Sequence, residues 1–167
     1  MDVLIRRART ADVRAIRELV DTYTVDRRLL SKATVTLYES VQEFWVAARA
    51  DDDRVVGCGA LHVMWEDLAE IRTVAVDPAM RGHKVGHRIV SELLATAAAL
   101  GVRRVFCLTF ETDFFGSFGF APIDGATVPH KVFEELLRSY DEGVAEFLDL
   151  ERVKPNTLGN TRMLLHL

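Results

Sequence analysis

The sequence is short of the residues that punctuate or cross-link a chain. Four prolines and two cysteines occur among 167 residues, which excludes a proline-rich linker and a disulfide-dense scaffold. Cys58 and Cys107 sit inside apolar runs and match no zinc or redox spacing, so buried free thiols are the plainer reading and no metal is expected. No apolar run approaches the roughly 20 residues that cross a bilayer, so no membrane association is expected. The opening MDVLIRRART carries charge where a secretory leader needs its apolar stretch, which points to a cytoplasmic protein. Positive charge is not in excess either. A formal net charge of -4 and a pI near 5.7 give no strong field for phosphate backbones, and nucleic acid is not an expected partner.

What is present is apolar residues, 49% of the chain, enough for one buried core in a single domain over residues 1–167. Val3 to Arg7 reads as a strand, and Thr10 then caps a helix with Ile16, Leu19, Val20 and Tyr23 on one face. Arg27 to Lys32 is a basic loop, after which Thr34 caps a short helix carrying Leu37 and Val41. Phe44 to Ala50 and Arg54 to Met64 are strands joined by a polar tip at Asp51-Asp52-Asp53, and Ala69 to Val76 is a third, ended by Asp77-Pro78. Val85, Ile89, Leu93, Ala97 and Leu100 recur at helical spacing, and Gly101 stands at the left-handed C-cap. Val105 to Phe110 is apolar without alternation, as in a central strand covered on both faces. Phe114 to Phe118 forms a helical turn, Phe120 starts a strand, Pro129 opens a helix to about Tyr140, and Thr161 to Leu167 is the last strand. Tyr38 and Tyr140 fall at core positions of their helices. The alternation of strands and helices specifies an α/β fold.

The segment from Val74 to His87 carries the most chemistry. A strand passes through a glycine-containing turn into a long helix, a geometry that aims unpaired N–H groups and the positive helix end at one spot, as a pyrophosphate site requires. Arg81, His83 and Lys84 add charge, while Gly82 and Gly86 permit close approach to the backbone. The competing reading is an ordinary strand-loop-helix joint with a solvated basic turn. His83 and His87 are four residues apart and able to share a helix face, but no carboxylate or cysteine nearby completes a metal set. His62, His130 and His166 are isolated in the sequence and read as structural.

The frame Arg81, Gly82-His83, Lys84, Val85, Gly86 resembles the acetyl-CoA signature of the GNAT acetyltransferases, in which a Gln or Arg is followed by two residues, Gly, one residue, then Gly or Ala. Its first and last positions match, and Lys84 replaces the middle glycine, offering a phosphate contact instead. Ile5-Arg6-Arg7-Ala8 with Asp12, and Phe115 to Phe120, resemble the family's opening and late segments, so the likeness covers nearly the whole chain. Within the superfamily, Gly57-Cys58-Gly59-Ala60-Leu61, Ala69-Glu70-Ile71 and Val105 to Thr109 are most similar to the acetyltransferase domain of N-acetylglutamate synthases, and Leu29 to Lys32 with Leu37-Tyr38-Glu39 to their short bacterial forms.

The resemblance implies a GNAT fold, with a mixed central β-sheet splayed between the Ala69 and Val105 strands and flanked by helices. It implies acetyl-CoA as co-substrate and transfer of acetyl to the α-amine of glutamate or glutamine, the first step of arginine biosynthesis. Val74, Ala75 and Val76 would pair with the pantetheine arm through their backbone, and Arg81, Gly82, His83, Lys84, Val85, Gly86 and His87 would hold the pyrophosphate. Glu70 occupies the place of a general base, which an arriving ammonium needs; the alternative is a surface Glu at a strand start. Lys32, Arg72 and Thr109 are candidates for the acceptor, with Arg27 and Arg28 nearby; the alternative for the basic stretch is a solvated loop. Phe115 stands where many relatives carry a proton-donating tyrosine, so the leaving thiolate is protonated by water or another side chain, or departs as such. Two rivals remain. A GNAT enzyme for another amine, such as a polyamine, would call for an acidic pocket rather than a basic segment, and a non-catalytic acetyl-CoA-binding module would suit Phe115 and Lys84. The partner is a small molecule, and a homodimer is left open.

Overall fold

The computed structural model describes residues 2–24, 32–157 and 159–167, the side chains of 156 and 157 excepted. Its strands are β1 (Val3–Arg7), β2 (Phe44–Arg49), β3 (Val55–Trp65), β4 (Leu68–Val76), β5 (Arg104–Thr109), β6 (Ala121–Pro122) and β7 (Thr161–His166). Hydrogen-bonded neighbours follow the order β1-β2-β3-β4-β5-β7-β6. β4 and β5 run parallel, whereas β1–β2, β2–β3, β5–β7 and β6–β7 are antiparallel, so the sheet is mixed, as the sequence indicates. The β4–β5 ladder covers Leu68↔Arg104, Ala69↔Val105 and Glu70↔Phe106. The chain gathers into two compact units, one of Met1–His62 with Ile71–Leu100 and one of Val63–Glu70 with Gly101–Leu167.

In the first unit, helix α1 (Val13–Thr24) buries Val13, Ile16, Leu19 and Val20 against Phe44, Val46, Cys58, Ala60 and Ala75. These β2 and β3 residues alternate along their strands, so one face of the sheet meets α1. Thr10 does not cap this helix. It opens a 3-10 turn, Thr10–Asp12, in which the Arg9 N–H donates to Asp12 Oδ2 at 2.7 Å. A carboxylate accepts more strongly than a hydroxyl, and Arg6 holds this one at 2.7 Å. Helix α2 (Thr34–Glu39) likewise starts without a side-chain cap, so Thr34 is its first residue only; it buries Leu37, and Val41 falls in the 3-10 turn that follows.

Helix α3 (Val85–Leu100) approaches the residues of β3 that point the other way, Gly57 and Gly59. A Cβ at Gly59 would lie 2.8 Å from Ile89 Cγ2, so glycine there is what allows the helix to seat. The packed stripe runs through Val85, Ile89, Leu93 and Ala97 and ends there; Leu100, the last helical residue, is 61% exposed, not core. Gly101 closes the helix at φ +90°.

In the second unit, Val105, Phe106 and Cys107 are consecutive and buried, as expected of a strand covered on both faces. Phe106 meets Phe147 edge-on at 5.4 Å between centroids, within a cluster with Leu68, Leu136 and Leu164. Helix α4 (Thr112–Gly116) buries Phe115 against Phe120 at 5.4 Å. The helix expected to run to about Tyr140 ends earlier. Helix α5 (His130–Leu136) gives way to α6 (Glu142–Phe147), which Asp141 caps by accepting the Val144 N–H at 3.0 Å. A 3-10 turn, Glu151–Val153, leads into α7 (Lys154–Thr157). Tyr140 therefore lies in a connector, 99% exposed, and Tyr38 is exposed as well, so neither packs in the core.

Candidate active site

The turn from β4 into α3 is built by local rules. Asp77 accepts the Ala79 N–H at 2.9 Å, and Pro78 turns the chain through a short 3-10 segment, Pro78–Met80. Gly82 at φ +88° and Lys84 at φ +58° then take left-handed conformations. Lys84 thus keeps the backbone of the glycine it replaces in the signature frame, at a cost of about 1 kcal/mol. Arg81, Gly82, His83, Lys84 and His87 are exposed, Gly86 is half-buried, and Val85 faces the core. Arg88, absent from the sequence reading, is exposed beside them. The first turn of α3 holds no acidic residue. Lys84 and Arg88 instead place positive charge at the positive end of the helix dipole, an arrangement unfavourable by some tenths of a kcal/mol until an anion arrives.

One residue within β4 departs from strand geometry. Thr73 has φ +58°, rare for a β-branched residue and a mark of stored strain. The Cys58 thiol donates to the Thr73 carbonyl at 3.4 Å. Burial pushes that thiol up to about 12, so it keeps its proton. The 73–74 peptide is trans, so the Val74 N–H points opposite to the Thr73 carbonyl, away from Cys58. Two residues on, the Val76 carbonyl accepts the Tyr23 hydroxyl. Helical periodicity assigns Tyr23 to the core face of α1, and its ring packs there, but its polar tip reaches the strand edge.

In the second unit, Glu70 is 4% exposed, which overturns the reading of a surface carboxylate. It pairs in register with Phe106. Burial raises the pKa of the neighbouring Cys107, and the Glu70 charge raises it further, so that thiol stays neutral. Thr109 is buried at the end of β5, where its hydroxyl accepts the Glu111 N–H at 2.8 Å. Arg72 is half-buried on β4. Lys32 is half-buried in the first unit, and its carbonyl accepts Arg17 Nη1 at 2.6 Å, so α1 pins the segment leading into α2. Arg27, Arg28 and Leu29 to Ser31 lie outside the described residues. Two of the histidines read as isolated are paired, His62 Nδ1 with Glu43 at 3.0 Å and His130 Nε2 with Glu134 at 2.9 Å. Among the described residues, no cluster of three or more His, Cys, Asp or Glu side chains gathers to hold a metal.

Known proteins match this arrangement at three levels. The description of the Acetyltransferase (GNAT) family fits residues 4–120. A Mycobacterium tuberculosis protein named amino-acid acetyltransferase is 64% identical over 163 residues, 97% of this chain and 93% of that protein. A solved Mycobacterium tuberculosis structure, in complex with CoA and NLQ, superposes with a TM-score of 0.94 at 64% identity, covering 98% of this chain and 99% of that one. N-acetylglutamate synthase from Neisseria gonorrhoeae, complexed with coenzyme A and N-acetyl-glutamate, reaches a TM-score of 0.77 at 21% identity, covering all of this chain and 35% of that one. That last likeness establishes the shared fold alone.

Proposed function

Because the chain belongs to the acetyltransferase (GNAT) family, we propose that it transfers acetyl from acetyl-CoA to the α-amine of glutamate or glutamine, in the cytoplasm, as the first step of arginine biosynthesis. The observation that carries the acceptor class is the 64% identity, over 97% of this chain, with the mycobacterial protein named amino-acid acetyltransferase.

The chemistry follows from the residues. The substrate amine arrives protonated, and Glu70, acting through water, takes the proton that blocks its lone pair. The freed amine attacks the thioester carbonyl, and the negative charge that develops on oxygen is met by the Val74 N–H, which follows the left-handed Thr73. Collapse breaks the carbon–sulfur bond, CoA leaves as the thiolate, since Phe115 has no proton to give, and the second proton shed by the nitrogen as the amide forms passes to water or to that thiolate. The exposed loop Arg81 to Lys84 and the first turn of α3, with Gly86 and His87, bind the pyrophosphate; the backbone of Val74 to Val76 binds the pantetheine arm. Lys32 and Arg72 supply cations for the acceptor's carboxylates, and Thr109 lies at the end of β5 as a further polar contact.

A thiol-release assay with acetyl-CoA and each proteinogenic amino acid, alongside spermidine, tests this reading. Glutamate or glutamine should give the highest kcat/KM. A higher value for spermidine would overturn the acceptor class, and no thiol release with any amine would remove catalysis.

A further inference from the structure

Cys58 is a fully buried residue of β3, packed in the core cluster that meets α1, with Ala75 of β4 in the same cluster. Its thiol donates to the carbonyl of the left-handed Thr73 at 3.4 Å, and its sulfur accepts the Ala75 N–H. A thiol offers one weak donor and a weak acceptor. This one engages both, on backbone groups either side of Val74. Burial keeps the thiol protonated, so the donor to Thr73 persists through neutral pH. The Val74 side chain packs toward the β3 glycines, with Cγ2 3.4 Å from where a Cβ on Gly59 would lie. Val74 is thus held by its side chain near Gly59 and by its flanking peptides at Cys58. A left-handed conformation at a β-branched residue such as Thr73 persists only where the surroundings hold it, and the sulfur is such a hold.

We infer that Cys58 is a positioning residue for the reaction: by bonding the Thr73 carbonyl and the Ala75 N–H, its thiol holds the main chain around Val74 in the orientation that presents the Val74 N–H to the developing oxyanion. The sulfur is buried and takes part in no bond-making, so Cys58 acts through the backbone of β4 alone. Serine offers the same kinds of donor and acceptor, whereas alanine and valine offer neither. This inference rests on the assignment of the Val74 N–H to the oxyanion.

The test compares Cys58→Ala with Cys58→Ser, two variants of nearly equal volume that differ by a hydroxyl. In Cys58→Ala, hydrogen exchange at the Ala75 amide should quicken about fivefold, the effect of one hydrogen bond, beyond any change at the Leu93 amide of α3, which reports overall opening. The kcat for thiol release should fall about tenfold, part of the roughly 10²-fold that loss of a whole oxyanion donor costs. The KM values for acetyl-CoA and for the amino acid should stay within about twofold, since ground-state binding does not use this contact. Cys58→Ser should recover most of both losses. Equal exchange at Ala75 in wild type and Cys58→Ala would overturn the proposal, as would a Cys58→Ser no better than Cys58→Ala. Faster exchange at Ala75 with unchanged kcat would instead refute the assignment of the Val74 N–H to the oxyanion, a distinct result. If Cys58→Ala does not fold, Cys58→Val, which fills the space without a donor, serves in its place.

Discussion

Gly57 on β3 meets Ile89 of α3 so closely that a Cβ at residue 57 would lie 2.9 Å from Ile89 Cδ1 and 3.0 Å from Val85 Cγ1. These two contacts fix how deeply α3 seats, and so where its N-terminus lies in the proposed pyrophosphate site. Gly57→Ala should destabilise the protein by about 1–3 kcal/mol, the usual cost of overpacking, and raise the acetyl-CoA KM as the helix is pushed outward. Adding Ile89→Val, which deletes Cδ1, should recover part of both losses. Urea midpoints and KM values of the single and double variants check this, and no recovery in the pair would mean that Ile89 is not the obstacle.

Lys84 combines a charge with a backbone conformation suited to glycine, at φ +58°, and substitution separates the two. Lys84→Gly should be more stable than Lys84→Ala by about 1 kcal/mol, because only glycine enters the left-handed region without penalty. Both variants lose the ammonium equally, so both should raise the acetyl-CoA KM, and more at low salt than at high salt. An unchanged KM across the salt series would leave Lys84 with a backbone role alone.

The turn around Lys84 was open to sequence reasoning because its ingredients are local: a proline that ends a strand, a glycine that permits left-handed backbone, and a helix whose apolar stripe repeats from Val85 to Ala97. Consecutive apolar residues likewise mark Val105 to Phe110 as a strand covered on both faces, which holds for Val105 to Cys107, whereas Leu108 is half-buried and Phe110 is exposed beyond β5. Other features depend on partners distant in sequence. Thr10 opens a 3-10 turn rather than capping α1, and the Asp12 carboxylate, held by Arg6 of β1, accepts the Arg9 N–H that precedes that turn. The left-handed Thr73 lies inside a continuous strand, Leu68–Val76, and its support, Cys58, is 15 residues away. Tyr23 obeys the helical period and still delivers its hydroxyl to Val76, since an amphipathic side chain satisfies both demands at once. The helix expected from Pro129 to about Tyr140 stops at Leu136, and Asp141 then caps a separate helix, Glu142–Phe147.

The pair formed by Arg6 and Asp12 should govern stability in acid. Burial by itself would raise the Asp12 pKa, but hydrogen bonds from Arg6 and from the Arg9 N–H outweigh it and leave the value below that of an ordinary aspartate. A carboxyl depressed on folding contributes stability that is fully present above its unfolded pKa of about 3.9 and is lost as pH falls through the lower folded value. Asp12→Asn should therefore cost about 2 kcal/mol near neutrality, the scale of a charged hydrogen bond. The gap between variant and wild type should close as pH drops below about 3.9. Chemical denaturation at several pH values measures it, and a gap independent of pH would assign the loss to packing instead.

Glu70 is the residue on which the proposed mechanism depends most directly, and its burial at 4% exposure makes the test clean, because solvent offers little substitute for its carboxylate. Glu70→Gln keeps the shape and removes the base, so kcat should fall by about 10² or more, the lower range for general-base catalysis. The acetyl-CoA KM should change little, since the residues proposed to hold the nucleotide belong to the unit that does not contain Glu70. Protein stability should not fall in step with activity, as an amide is easier to bury than a charge. The deficit should also depend on pH in a particular direction. At low pH almost every substrate amine is protonated and needs the missing base; as pH rises toward the amine's own pKa, the substrate arrives already deprotonated and the variant should approach wild type. Rates of thiol release across a pH series decide the matter. A deficit of constant size at every pH would leave Glu70 with a role in placing the acceptor, and no deficit at all would remove it from the reaction.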